Sequence, residues 1–357
     1  MTSSEQILLE RRGGLGIVTL NRPQALNTLS LAMYRRFDPA LIEWSRDPTV
    51  RAVLVRGAGG RAFCAGGDVI AIYQARSQGP GASDYKADFF REEYELVRRV
   101  HRFPKPYIAL IDGIAMGGGM GISINGTFRI VTEATFVAMP EVQIGLFPDI
   151  GATRFLNLCP GRIGLYLALT GKRLGAADAL YCGFGTHFVA RERLTEFTAT
   201  LAGIRWRKGE ERGQAEEALS RYSGDAGPAS LPPLQAAIDR CFAGDSVAAI
   251  LAALAKEEGE WAREAQDAMQ RASPLSLAIT FRQLGLGRGM EIEDALALEY
   301  RLTQHCMAGH DFFEGIRALL VEKDRKPRWQ HRSIAAVSEA EIDGYFTAIG
   351  ERELRFA

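Results

Sequence analysis

Residues 107–125 run YIALIDGIAMGGGMGISIN, and their reading decides the fold. Tyr107 to Ile111 is a short apolar run of the length of a buried strand. Past it comes Gly117-Gly118-Gly119-Met120-Gly121, which runs into a helix-like Ile122-Ser123-Ile124-Asn125. An earlier stretch has the same grammar. Val50 to Arg56 reads as a buried strand, and Phe63-Cys64-Ala65-Gly66-Gly67-Asp68 is a second glycine-rich turn. Glycine permits positive φ and close approach of backbone to a ligand, and a helix start leaves amide N–H groups without intrahelical partners. Two such corners side by side can aim two N–H groups at one developing oxyanion; tight packing alone is the plain alternative. A dinucleotide fingerprint needs G-x-G-x-x-G. Here Ile122 stands where the third glycine belongs, and Glu141, about twenty residues on, sits beside Pro140 rather than at a plain strand end. Gly171-Lys172 is followed by Arg173, so there is no P-loop either.

Outward from these corners, strands and helices alternate. Gly16 to Leu20 is β-rich and ends at Asn21-Arg22-Pro23, a turn signal. Leu29 to Trp44 has helical patterning, as does Asp84 to Arg102, which Phe103-Pro104-Lys105-Pro106 stops. Phe128 to Thr132 and Thr135 to Met139 read as further strands. Such alternation predicts parallel pairing with helical crossovers. From about Arg191 the pattern turns helical. Val247, Ile250, Leu251 and Leu254 form one stripe behind an Asp245 or Ser246 cap. Ser273-Pro274 opens a helix, and Asp311 with Glu314 has capping-box spacing. Ser223 to Pro233 reads as a linker or exposed loop. The expected organisation is an α/β core over residues 1–190 and a helical C-terminal region over 191–357.

Composition narrows the function. Of 357 residues, 47% are hydrophobic and 24% charged, ordinary for a globular protein, and 43 basic residues balance 43 acidic ones. The basic excess expected of a nucleic-acid binder is absent. Five scattered cysteines lack zinc or redox spacing and favour a reducing compartment. His305 and His310, five apart, do not share a helix face, so no metal site is expected. No apolar run approaches bilayer length. The first residues, with Glu5 and Glu10, have neither signal-peptide nor transit-peptide character, so a cytoplasmic location is expected.

Three acids stand out against apolar surroundings. Glu141 and Asp149 lie in PEVQIGLFPDIG, residues 140–151, where Val142, Ile144, Leu146 and Phe147 should be buried. Burying a carboxylate is costly unless it is paired; catalytic use with a raised pKa is one justification, and helix capping or ion pairing is the other. Glu93 falls inside the stripe of Phe89, Leu96, Val97 and Val100, so it faces the core or a cleft, with a buried ion pair as the bland reading.

In this order, Leu20-Asn21-Arg22-Pro23 with Leu26-Asn27, Ala65-Gly66-Gly67-Asp68, the Gly117 cluster, Pro140-Glu141 and the Phe312 to Trp329 segment resemble the enoyl-CoA hydratase/isomerase (crotonase) superfamily over nearly the whole chain. The resemblance implies a crotonase-like α/β spiral of ββα units, assembled as a homo-oligomer (trimer or dimer of trimers). It implies an oxyanion hole from the amides of Ala65 and Gly118, with Gly66, Gly67, Asp68 and Gly117 beside the substrate. No cofactor is implied beyond the CoA carried by an acyl-CoA substrate. Hydratases of the family carry one Glu at the position matching Gly121 and another matching Glu141; here the first is glycine, and two-carboxylate hydration is left short of a partner. FFREEY (89–94), FVAMPE (136–141), LFPDIG (146–151) and GHDF (309–312) resemble the 3-hydroxyisobutyryl-CoA hydrolase branch. That implies thioester hydrolysis in valine breakdown, with Glu141 and Asp149 as the catalytic pair and Glu93 and Gly118 on substrate. Ala152-Thr153-Arg154 departs from that branch and leaves the acyl preference open. Hydration or isomerisation is the rival reaction, and an acyl-CoA-binding protein without turnover the rival class.

Overall fold

The computed structural model describes residues 6–76 and 82–356. The chain divides into two units that interleave in sequence. Met1–Gly67, Glu95–Val137 and Leu174–Ser230 make the first; Asp68–Tyr94, Ala138–Arg173 and Leu231–Ala357 make the second. The division does not fall at residue 190.

Strands dominate the first unit: β1 (Ile7–Arg12), β2 (Leu15–Leu20), β3 (Ala52–Gly57), β4 (Ala62–Cys64), β5 (Tyr107–Ile111), β6 (Ile114–Met116), β7 (Phe128–Val131), β8 (Phe136–Ala138, one residue past the unit's edge), β9 (His187–Val189) and β10 (Ser223–Gly224). Seven form one sheet in the order β1-β2-β3-β5-β7-β9-β10. The interior pairs β2–β3, β3–β5, β5–β7 and β7–β9 are parallel, as the strand–helix alternation predicts, and antiparallel pairs close both edges. Parallel strands are covered on both faces and therefore read as continuous apolar runs rather than alternating ones. One face, with Leu15, Ile17, Leu54, Ile108 and Ile130, packs against Phe197, Leu201, Ala215 and Leu219 of the Leu194–Gly203 and Glu211–Ser220 helices. Those helices lie beyond residue 190, which is why the expected boundary fails: the sheet needs them as its cover. Ser223 and Gly224, read as loop, instead form the edge strand β10. A small sheet, β4-β6-β8, carries the two glycine corners at its strand ends.

Helices dominate the second unit. Ser246 caps the Val247–Leu254 helix, accepting the Ala249 N–H at 3.1 Å, and Ser273 caps Pro274–Leu286, accepting the Ser276 N–H at 3.1 Å. The capping box at Asp311 does not form. The Asp311–Ile316 helix starts without a side-chain cap; Asp311 accepts the Ser273 O–H and the Gln330 N–H, and Glu314 pairs with Arg317. Spacing alone cannot tell a cap from a carboxylate claimed by a neighbouring helix.

Candidate active site

The first unit builds its glycine corners from backbone. Leu26 and Asn27 are consecutive left-handed residues, with φ of 51° and 58°. That sharp turn aims the fully buried Asn27 amide group back at the corner. Its Nδ2 donates to Ala58 O at 2.9 Å and Ala62 O at 2.8 Å, and its Oδ1 accepts the Arg22 N–H at 2.9 Å. Asn27 thus fixes both ends of the β3–β4 connection, which gives the Leu20–Asn27 motif a physical reason. Gly66 takes a φ of 111° and Gly117 a φ of 45°. A Cβ on Gly66 would sit 3.4 Å from Met116 O and 3.8 Å from Gly118 N, so the corners lie against each other. A Cβ on Gly119 would overlap the Cys64 carbonyl, so glycine there is a packing requirement.

The structure corrects one member of the expected amide pair. Ala65 N–H already donates to Leu26 O at 3.0 Å and is not free for a ligand. The amides of Gly67 and Gly118 have no hydrogen-bond partner among the described residues. Gly118 is the first residue of the Gly118–Ile124 helix, where an N–H has no intrahelical acceptor. Gly66 turns its carbonyl to the Leu29 N–H at 2.8 Å. Asp68 is a cap, accepting the Ala71 N–H of the Val69–Ala75 helix at 3.2 Å.

In the second unit the three predicted acids come together. Glu93, Glu141 and Asp149 are 3%, 6% and 4% exposed. Burial pushes the Glu141 carboxyl well above the usual carboxylate range, and the neighbouring charges of Asp149 and Glu93 push the same way. Glu141 Oε2 has no partner among the described residues. Burial raises Asp149 to about 6, against a lowering by its hydrogen bond with Tyr94, whose O–H donates to Asp149 Oδ2 at 2.6 Å. Within this run Val142, Leu146 and Phe147 are buried as expected, whereas Ile144 is half-buried.

Three residues that sequence reasoning did not single out support this cluster. Tyr94 is one, its own phenol raised by burial and by Asp149. Glu299 of the Ile292–Ala308 helix is fully buried and accepts Gly151 N–H at 2.6 Å and Thr153 N–H at 2.8 Å. Gln283 Nε2 donates to Pro148 O at 2.7 Å and Thr153 Oγ1 at 2.8 Å. Only Tyr94 carried a usable signal, being next to Glu93; the other two lie 130 to 148 residues from the groups they hold. Among the described residues no three ligating side chains gather to hold a metal ion, and the five cysteines are buried with no disulfide between them.

The glycine corners and buried acids sit within a chain whose residues 15–346 match the family model described as Enoyl-CoA hydratase/isomerase. The chain belongs to the enoyl-CoA hydratase/isomerase family. Within that family it is 42% identical to the rat protein named 3-hydroxyisobutyryl-CoA hydrolase, mitochondrial, covering 99% of this chain and 92% of the relative. The human protein of the same name is 40% identical, with 99% and 92% covered. Among solved family structures, an enoyl-CoA hydratase from Rhodobacter sphaeroides matches with a TM-score of 0.90 at 39% identity, covering 98% of this chain and all of the other. A carnitinyl-CoA dehydratase from Mycobacterium thermoresistibile matches with a TM-score of 0.90 at 39% identity, covering 99% of each. These full-length likenesses bear out the crotonase-type α/β fold expected from the sequence. Among the described residues no helix is long and apolar enough to cross a membrane.

Proposed function

We propose that this family member is an acyl-CoA thioester hydrolase that converts 3-hydroxyisobutyryl-CoA and water to 3-hydroxyisobutyrate and free CoA. One observation carries the choice of reaction. Glu141, Asp149 and Glu93 are buried acids that influence one another, while the position where family hydratases hold their first Glu is Gly121, which has no side chain. Relatives named for this hydrolysis, 40–43% identical over nearly the whole chain, support it.

In the proposed mechanism the free amides of Gly67 and Gly118 receive the thioester oxygen as it gains negative charge. Removing one such donor typically costs ~3–4 kcal/mol of barrier. Glu141 either attacks the carbonyl carbon, giving a mixed anhydride that water then hydrolyses, or takes a proton from the attacking water. In both routes the C–S bond breaks and CoA leaves as thiolate. Its raised proton affinity makes Glu141 a stronger base once ionised. Asp149, ordered by Tyr94, orients water and carries the proton; Glu93 and Gly66 to Asp68 with Gly117 border the substrate. The reaction needs no cofactor beyond the CoA of the substrate. A cytoplasmic location and a trimeric assembly belong to this proposal; cell fractionation and light scattering test them, and the relatives named mitochondrial make the first the sharper test.

The solved structures named hydratase and dehydratase favour a second reading, addition of water to an enoyl-CoA. Crotonyl-CoA and 3-hydroxyisobutyryl-CoA offered in parallel separate the two. Thiol release from the second with unchanged enoyl absorbance from the first is expected; the reverse pattern ends the hydrolase reading.

A further inference from the structure

The turn that carries Asp149 is unfavourable on local grounds. Ile150 has a φ of 58° and Gly151 a φ of 89°, two left-handed residues in succession. A β-branched residue in that region is an outlier that surrounding structure must enforce. The Ala152–Phe155 helix that follows has Gly151 as its N-cap, which offers no side chain to the amides of its first turn. Glu299 supplies that acceptor from 148 residues away: one oxygen takes Gly151 N–H and the other Thr153 N–H. Both bonds are charge-assisted when the acid is ionised, the stronger class of hydrogen bond. The next residue, Tyr300, meets Tyr94 edge to face at 6.3 Å, and Tyr94 holds the Asp149 carboxyl. Adjacent residues of one helix therefore reach both the backbone behind Asp149 and the phenol in front of it.

We propose that Glu299 is a positioning residue for Asp149, acting as a remote cap that holds the 149–153 turn in its working geometry. It does not touch substrate; its effect passes through Asp149. Burial raises the Glu299 carboxyl to about 8, with the charge of Asp149 adding to the rise and the amide bonds opposing it, in keeping with a carboxyl kept in an apolar interior for this duty. The inference rests on the hydrolase reading for its kinetic test, and on the turn alone for its structural one.

The test is a double-mutant cycle on thiol release from 3-hydroxyisobutyryl-CoA. Glu299→Gln keeps the shape but leaves one amide N–H facing an NH2 group. It is expected to lower kcat by about 10–100-fold, the size of a small misplacement of a reacting group, with KM changed by less than about twofold. In an Asp149→Asn background the same change should alter the residual rate by less than about twofold. An equal loss in both backgrounds, or none in the wild-type background, overturns the proposal. Should Glu299→Gln fail to fold, Glu299→Asp, which keeps the charge but cannot span both amides, takes its place in the cycle. Amide hydrogen exchange gives a readout independent of activity. Gly151 and Thr153 should be protected in the wild type and exchange at least about tenfold faster in the variant; protection unchanged in the variant overturns the clamp. A wild-type protein that releases no thiol refutes the hydrolase reading, and the exchange result still decides the role of Glu299.

Discussion

The glycine corners of the first unit and the acid turn of the second solve the same backbone problem differently. Each uses two successive left-handed residues, Leu26-Asn27 in one and Ile150-Gly151 in the other. At the corners the restraint is local: Asn27 ties Arg22, Ala58 and Ala62, all within 35 residues of itself. At the acid turn the restraint comes from Gln283 and Glu299, 130 to 148 residues away. The first arrangement presents polar backbone held by the neutral side-chain amide of Asn27. The second keeps several carboxyls out of water and needs distant helices to do so. A site made of amides can be specified by a short motif, whereas one made of buried acids draws on much of the chain.

Three further measurements break or sharpen that contrast. The largest effect is expected from the acid side. Glu141→Gln should abolish thiol release, a fall of at least about 10²–10⁴-fold for a lost acid–base group, while acyl-CoA binding measured by calorimetry survives. Full turnover in that variant would remove Glu141 from the chemistry. On the amide side, Gly118→Pro deletes one N–H at the first residue of a helix, where proline is tolerated. With circular dichroism showing native fold, kcat should fall about 10²–10³-fold; an unchanged kcat would take Gly118 out of the oxyanion pair.

The smallest effect is one of pH and stability. Burial lifts Asp149 from its ordinary 3.8 to about 6, so the folded state favours the protonated acid. Stability from this group is fully present below pH 3.8 and is lost as pH rises through about 6. Asp149→Asn removes that loss. Its melting temperature relative to wild type should therefore rise between pH 4 and pH 7, by a few degrees at roughly 2–4 °C per kcal/mol. A gap that stays flat across this range would mean that Asp149 does not titrate as a buried acid. Thiol release in the wild type should climb over the same interval, as Asp149 ionises.

The contrast also explains what could be read in advance. Parallel strands covered on both faces leave unbroken apolar runs, so Tyr107 to Ile111 emerged with its observed ends. Glycine writes its own conformational need into the chain, and both corners were visible for that reason. The resemblance implies the Ala65 amide, and an amide's partner is invisible in sequence: Leu26 O claims the Ala65 N–H only through the left-handed turn at 26–27. The acids were found because a charge inside an apolar stripe is anomalous. Their supports were not, since Glu299 and Gln283 lie in ordinary amphipathic helices, and nothing local marks which turn they serve. The boundary at residue 190 failed for a related reason, a change of pattern from mixed to helical being mistaken for a change of unit.

The distance between Asp149 and its clamp has a consequence for synthesis. A nascent chain grows at about 5–20 residues per second. The Asn27 side chain has both its acceptors once Ala62 has emerged, whereas the turn at 149–153 must wait for Glu299, 148 residues after Gly151. For roughly 10–30 seconds the ribosome-bound polypeptide carries the Asp149 turn without its distant acceptor. A product cut short before that helix would lack the brace altogether, so the ordered turn arrives late, as a property of the nearly finished chain.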